Sequence, residues 1–251
     1  KFNKNGVRQW GTYYGGTYDD FLTNVTTDSN GIVYVLGEYK SDSLGTSGTY
    51  AQYWKNFDPT TTNNNRYFEL LIAKFNPVNG QRIWATYYGG TLHENAGGIV
   101  VGDTNYVYIS GASQSSTDIA TTNAQQTSIA GAYDAVLARF DSTGQRIWGT
   151  YFGGGDTDYG GILTFDEYGD LNMAGRTAST SGIATSGAHR STESDPSNAT
   201  FDATLSIFTI MGTKVWSTYY GGSYNDYGVG VATAPGGVVY MCGYTESDTG
   251  V

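Results

Sequence analysis

A seven-residue motif, W-x-T-Y-[YF]-G-G, recurs four times in this chain. It opens at Trp10, Trp84, Trp148 and Trp216 and closes at Gly16, Gly90, Gly154 and Gly222. The tryptophans follow one another at intervals of 74, 64 and 68 residues. A repeat of this period constrains the fold strongly, because each unit must be one supersecondary element that buries its apolar surface against its neighbours. Other columns keep the same order in every period. An apolar run ends at glycine in residues 32–37, 106–111, 171–175 and 238–243. A stretch rich in Ser, Thr, Gly and Asn follows, then a further run at 68–75, 133–140 and 201–208. A tight turn such as 141–144 leads back into the motif, and a weaker run such as 161–165 comes after each Gly-Gly.

The runs are short, rich in Val, Ile, Tyr, Phe and Thr, and bounded by Gly, Asp and Asn, which are strand signals at hairpin spacing. Apolar residues nowhere keep a helical period for three turns, so no long helix is expected. Four short antiparallel strands per period are the content of one propeller blade. The expected fold is therefore all-β: a β-propeller of four-stranded antiparallel blades, about 3.5 of them in this window. A parallel β-helix would need shorter periods, and a string of sandwich domains would need roughly 100 residues each. Residues 1–251 read as part of one domain, with repeats at 10–83, 84–147 and 148–215 and an incomplete one at 216–251. Residues 1–6 align with 74–80, inside a third strand, and 243–251 align with 111–119, just past a second. A window on a longer propeller is expected, ahead of a four-bladed ring closed by its own termini.

Composition removes several classes of function. Lys and Arg number 13 against 23 Asp and Glu, a formal net charge of −10, which is a poor basis for binding a phosphate backbone. No apolar run is long enough for a transmembrane helix, and no basic stretch leads into an apolar leader within these residues. The single cysteine excludes an internal disulfide framework. Hydrophobic residues at 39% and aromatics at 15% suffice for a core.

The repeated tryptophans are expected to pack between blades rather than to stack on sugars. Trp54 lies outside the repeat, in an insertion between Lys40 and Arg66, so Trp54, Tyr53 and Phe57 are assigned to a ligand-binding surface. The acidic column Asp20, Glu94, Asp158 and Asp226 is read as side-chain caps on turn amides rather than as Ca²⁺ ligands, since no D-x-[DN]-x-[DN]-G loop completes a shell. Glu69, Asp134 and Asp202 are read the same way. No metal or other cofactor is expected. His93 reads as a turn residue, and Cys242, in the column of Leu36, Ser110 and Ala174, as a small buried strand residue. No nucleophile elbow occurs, and the few arginines are partly repeat positions, so no catalytic residue is assigned.

Taken together, residues 31–37, 134–140, 148–154 and 184–188 resemble the SBBP-type bacterial β-propeller repeat family, over essentially the whole chain. The resemblance implies a non-enzymatic module of a large secreted or surface-attached bacterial protein, of the kind found among Bacteroidota that use type IX secretion and surface adhesins. Its implied partners are a glycan or protein on a surface and the other domains of the same long polypeptide. Two rival expectations stand beside adhesion: a structural spacer that displays other domains, and a glycan-active enzyme whose catalytic residues lie outside this window.

Overall fold

The computed structural model describes residues 1–55, 66–195 and 200–250. Fourteen strands, and no helix among the described residues, form three four-stranded antiparallel sheets and one two-stranded sheet. The first sheet is β1 (Asp20–Thr27), β2 (Val33–Tyr39), β3 (Glu69–Phe75) and β4 (Arg82–Tyr88). The second is β5 (Glu94–Val101), β6 (Val107–Ser113), β7 (Asp134–Phe140) and β8 (Arg146–Phe152). The third is β9 (Asp158–Phe165), β10 (Leu171–Thr177), β11 (Asp202–Phe208) and β12 (Lys214–Tyr220). The fourth holds β13 (Asp226–Ala234) and β14 (Val238–Thr245). Each sheet is a meander in sequence order, so every strand pairs with its chain neighbour. The W-x-T-Y-[YF]-G-G motif supplies the fourth strand. The acid that follows it opens the first strand of the next sheet. In the first copy, residues 10–16 form no strand, and the pairing before them shrinks to one bridge between Phe2 and Arg8.

The first strands β1, β5, β9 and β13 lie against one another in order, and the sheets stack face to face. Gly97 and Gly160 show how close this approach is: a Cβ on Gly97 would come 2.2 Å from the Gly160 carbonyl oxygen. One apolar layer joins Leu36, Ile72 and Tyr88 of the first sheet to Ile109, Val136 and Phe140 of the second. A second layer joins Leu137 and Phe152 to Met173, Phe208 and Tyr219 of the third.

The tryptophans lock these layers. Trp84 in β4 and Trp148 in β8 each reach over the hairpin turn of the following sheet. Their indole Nε1 atoms donate to Ser142 O at 2.9 Å and to Ile210 O at 3.1 Å. The rings lie on Gly144 (φ +84°) and Gly212 (φ +80°), where the left-handed turn leaves no side chain in the way. Trp10 makes the same contact, with Gly80 and Pro77 O. Within each sheet, the motif's first tyrosine ties the fourth strand to the loop after the second: Tyr87, Tyr151 and Tyr219 donate to the carbonyls of Ser41, Ser115 and Ser179 at 2.5, 2.5 and 2.8 Å.

Cys242 corrects one expectation. It is exposed, whereas Leu36, Ser110 and Ala174 in its column are fully buried. Those three lie in sheets with a third strand hydrogen-bonded beside them, and β14 has only β13. Trp216 differs for a related reason. It is half-buried and borders an open apolar groove of about 700 Å³, together with Tyr220, Tyr240 and Met241.

Candidate functional site

Trp54, expected on a ligand surface in the first long loop, is instead buried. Trp54 is 2% exposed and packs with Val35, Tyr39, Leu71 and Tyr87 on the outer face of the first sheet. The loop holds it there through regular contacts with β4: Thr86 Oγ1 accepts from Ala51 N at 2.9 Å, as Thr150 Oγ1 accepts from Gln126 N and Thr218 Oγ1 from Arg190 N. Lys55 N donates to Glu69 Oε2, as Ala130 N and Ser194 N donate to Asp134 and Asp202. Trp54 therefore occupies the loop position of Ile129 and Glu193, which are also buried or partly buried. The extra length begins after Lys55. Tyr53 is 62% exposed, and Phe57 lies outside the described residues.

The acidic columns hold turns together. Gly16 N, Gly154 N and Gly222 N donate to Asp20, Asp158 and Asp226 at 2.7–2.8 Å. The hydroxyls of Ser41, Ser115, Ser179 and Ser247 donate to Asp20, Glu94, Asp158 and Asp226 at 2.6–2.9 Å. Among the described residues, no group of three or more His, Cys, Asp or Glu could hold a metal ion. Burial raises Glu94 to about 7 and Asp158 to about 6.

Alternation along each strand turns the neighbour of every buried acid the other way. At this end of the sheets those neighbours form cross-strand pairs: Phe21 with Glu38, Asn95 with Ala112, Tyr159 with Arg176, and Tyr227 with Tyr244. The residues before the third-strand acids, Phe68, Tyr133 and Phe201, stand beside them. The rings connect into one belt across all four sheets. Centroid distances are 5.5 Å for Phe21–Phe68 and Phe68–His93, 6.3 Å for His93–Tyr133, and 5.4 Å for Tyr133–Tyr159. The belt continues through Phe201 at 6.1 Å, Tyr227 at 5.9 Å and Tyr244 at 4.5 Å. Its members are half-buried or exposed, so ring surface stays open to solvent. His93 is therefore more than a turn residue: it supplies the ring in the one sheet where Asn95 replaces an aromatic.

Cations sit on the belt. Lys40 Nζ lies 4.3 Å from the Phe68 ring. The Arg176 guanidinium lies 4.2 Å from Tyr159, 4.9 Å from Tyr227 and 5.4 Å from Phe201. Beside it, where the first strands converge, a cavity of about 410 Å³ is lined by Glu38, Asn95, Tyr159, Gly160 and Arg176 among others. Glu38 is held in place by Ala96 N, which donates to its Oε1 at 2.8 Å. The scaffold positions repeat, whereas the residue after each second-strand glycine varies: Glu38, Ala112, Arg176, Tyr244. At this end of the sheets the frame is constant and this one column varies. The sequence carried this signal in the aromatics flanking each acid, which reading the acids alone passes over.

Among the described residues no helix is long and apolar enough to cross a membrane. No protein-family model matches the chain, and no curated protein matches it.

Proposed function

We propose that the chain is a run of β-propeller blades of the SBBP type, and that the mouth carrying the aromatic belt binds carbohydrate as a non-enzymatic recognition or adhesion module on the outside of a bacterium. The propeller reading is supported by the side-by-side first strands, the stacked four-stranded sheets and the tryptophan locks that repeat between them. The extracellular bacterial setting rests on the resemblance of the repeats. The observation that carries the function is the unbroken belt from Phe21 to Tyr244. Half-exposed rings fixed by their neighbours offer apolar faces to the C–H faces of sugars and lose little side-chain entropy on binding. Binding rather than catalysis suits the carboxylates, which are occupied with turn amides and hydroxyls.

The test is retention on a panel of oligosaccharides, comparing the intact chain with Tyr227→Ala and Phe201→Ala. The expected result is retention of a subset of the panel, with each substitution weakening it at least tenfold, about 1.4 kcal/mol. If no saccharide is retained, the display-spacer reading takes its place. If saccharides bind with both variants unaffected, the belt is not the site.

A further inference from the structure

We propose that Arg176 makes this mouth selective for a saccharide bearing a single carboxylate per bound ring, a uronate-type acidic sugar. The inference rests on the carbohydrate-binding reading above and adds the charge and chemistry of the ligand.

Arg176 and Arg139 each have a buried Nε with no partner, but Arg139 still donates, to Met211 Sδ at 3.6 Å. Arg82, Arg146 and Arg190 each donate to backbone carbonyls that pin the loops. Arg176 has no hydrogen bond to the described residues, and its Nε is buried with no partner. The ion pairs among the described residues are Lys40–Asp19 and Lys55–Asp118, so no carboxylate of the described residues stands at ion-pair distance from Arg176, although Glu38 lines the same cavity. In a chain of net charge −10, a guanidinium left without an ion pair at a cavity mouth is an unmet demand for acceptors. The flanking Tyr159 and Tyr227 rings hold it by cation–π contact, so its donors are oriented before any ligand arrives.

A guanidinium fork matches the two oxygens of a carboxylate bidentately. The surroundings select against higher charge. Glu38 lines the same cavity, and its repulsion grows with ligand charge, so it disfavours a dianion such as a phosphate ester more than a monoanion, while its carboxylate can accept from sugar hydroxyls. The cavity, about 410 Å³, falls in the range of small-molecule sites, and Tyr159 offers a ring face beside the guanidinium. A pyranose stacked on that face with its carboxylate on Arg176 uses both features at once.

Calorimetric titration of the intact chain with trigalacturonate and with its fully methyl-esterified form isolates the charge, because the rings are the same. The acid is expected to bind at least tenfold more tightly than the ester. Arg176→Gln should bring that preference to within about twofold. Arg176→Lys should keep part of it, since charge remains and the fork is lost. Equal affinity of acid and ester for the unaltered chain overturns the inference and leaves the belt reading standing, and this comparison needs no variant to fold. A sulfated or phosphorylated sugar bound as tightly as the uronate also overturns it. Failure to bind these probes while neutral sugars of the panel are retained overturns the charge assignment alone. Failure of every saccharide overturns the belt reading with it.

Discussion

Trp148→Ala is expected to cost about 3–5 kcal/mol of folding stability, the range for deleting a buried aromatic from a core. Trp148 is 7% exposed and closes the interface between the second and third sheets. The substitution removes the ring from Gly212 and from Tyr108, whose centroid lies 6.4 Å away, and leaves the Ile210 carbonyl without its Nε1 donor. Trp148→Phe should cost less, since ring volume remains and mainly a hydrogen bond worth about 1 kcal/mol is lost. Trp10→Ala should cost least of the column, because Trp10 is only half-buried and its motif forms no strand. The reciprocal change, Gly212→Val, strains a left-handed turn and brings a Cβ within 2.9 Å of the Trp148 ring. Urea unfolding ranks the four variants. Trp148→Ala with an unchanged midpoint and slope would show that the sheets are not joined through this column.

The second large effect is a loss of stability as pH rises from acid to neutral. Across Gly89, Glu69 and Glu94 approach one another from adjoining sheets, and a Cβ there would lie 2.4 Å from Glu69 Cγ and 2.5 Å from Glu94 Oε2. Both side chains are buried, and Glu69 Oε1 and Glu94 Oε2 lack hydrogen-bond partners. Burial is the main cause that lifts Glu94 to about 7, opposed by the hydroxyls of Ser115 and Ser113. Burial also pushes Glu69 well up, and the charge of Glu94 adds to it. Burial takes Asp158 to about 6 in the next interface and raises Asp134 and Asp202 as well.

The sign follows from which state holds the proton. An unfolded glutamate ionises near 4.3, so between that pH and 7 the folded chain binds more protons than the unfolded one. The stabilisation is complete below about pH 4.3 and is lost as pH rises through 7. For Glu94 alone the loss is on the order of 3 kcal/mol. Glu94→Gln should flatten much of this slope. It keeps an acceptor for Ser113 and Ser115 and turns amide donors toward Glu69, so the variant should be more stable than the unaltered chain at pH 8 and not at pH 4.5. Urea midpoints at those two pH values check this. A chain whose stability rises toward pH 8, with Glu94→Gln weaker throughout, would mean that the carboxylates are ionised in the folded state and stabilise it.

Much of the architecture was readable because it is repeated. The W-x-T-Y-[YF]-G-G copies at Trp84, Trp148 and Trp216 placed the three fourth strands, the glycine-ended runs placed the second, and the acids marked where strands begin. The misreadings have local physical causes. Trp54 stood outside the motif, which made it look like a surface residue, yet position 54 matches Ile129 and Glu193 once the contacts of Thr86, Thr150 and Thr218 register the loops. That register depends on side chains reaching across a sheet edge and leaves no spacing rule in the chain. Cys242 shares a column with Leu36, but burial there depends on neighbouring strands. The belt was legible in part, since Phe68, Tyr133 and Phe201 each precede an acid. Its continuity was not, because His93 replaces a missing ring from a different column.

The central claim is that the mouth with the aromatic belt is the binding face, and aromatic-resonance NMR of the intact chain tests it most directly. Titration with the tightest saccharide of the panel should shift or broaden the ring signals of Tyr159, Phe201 and Tyr227, while the core rings of Tyr88 and Phe140 stay unmoved. Shifts confined to Tyr53 in the first long loop, or to Trp216 and Tyr240 in the apolar groove, would contradict the claim and move the site elsewhere on the molecule.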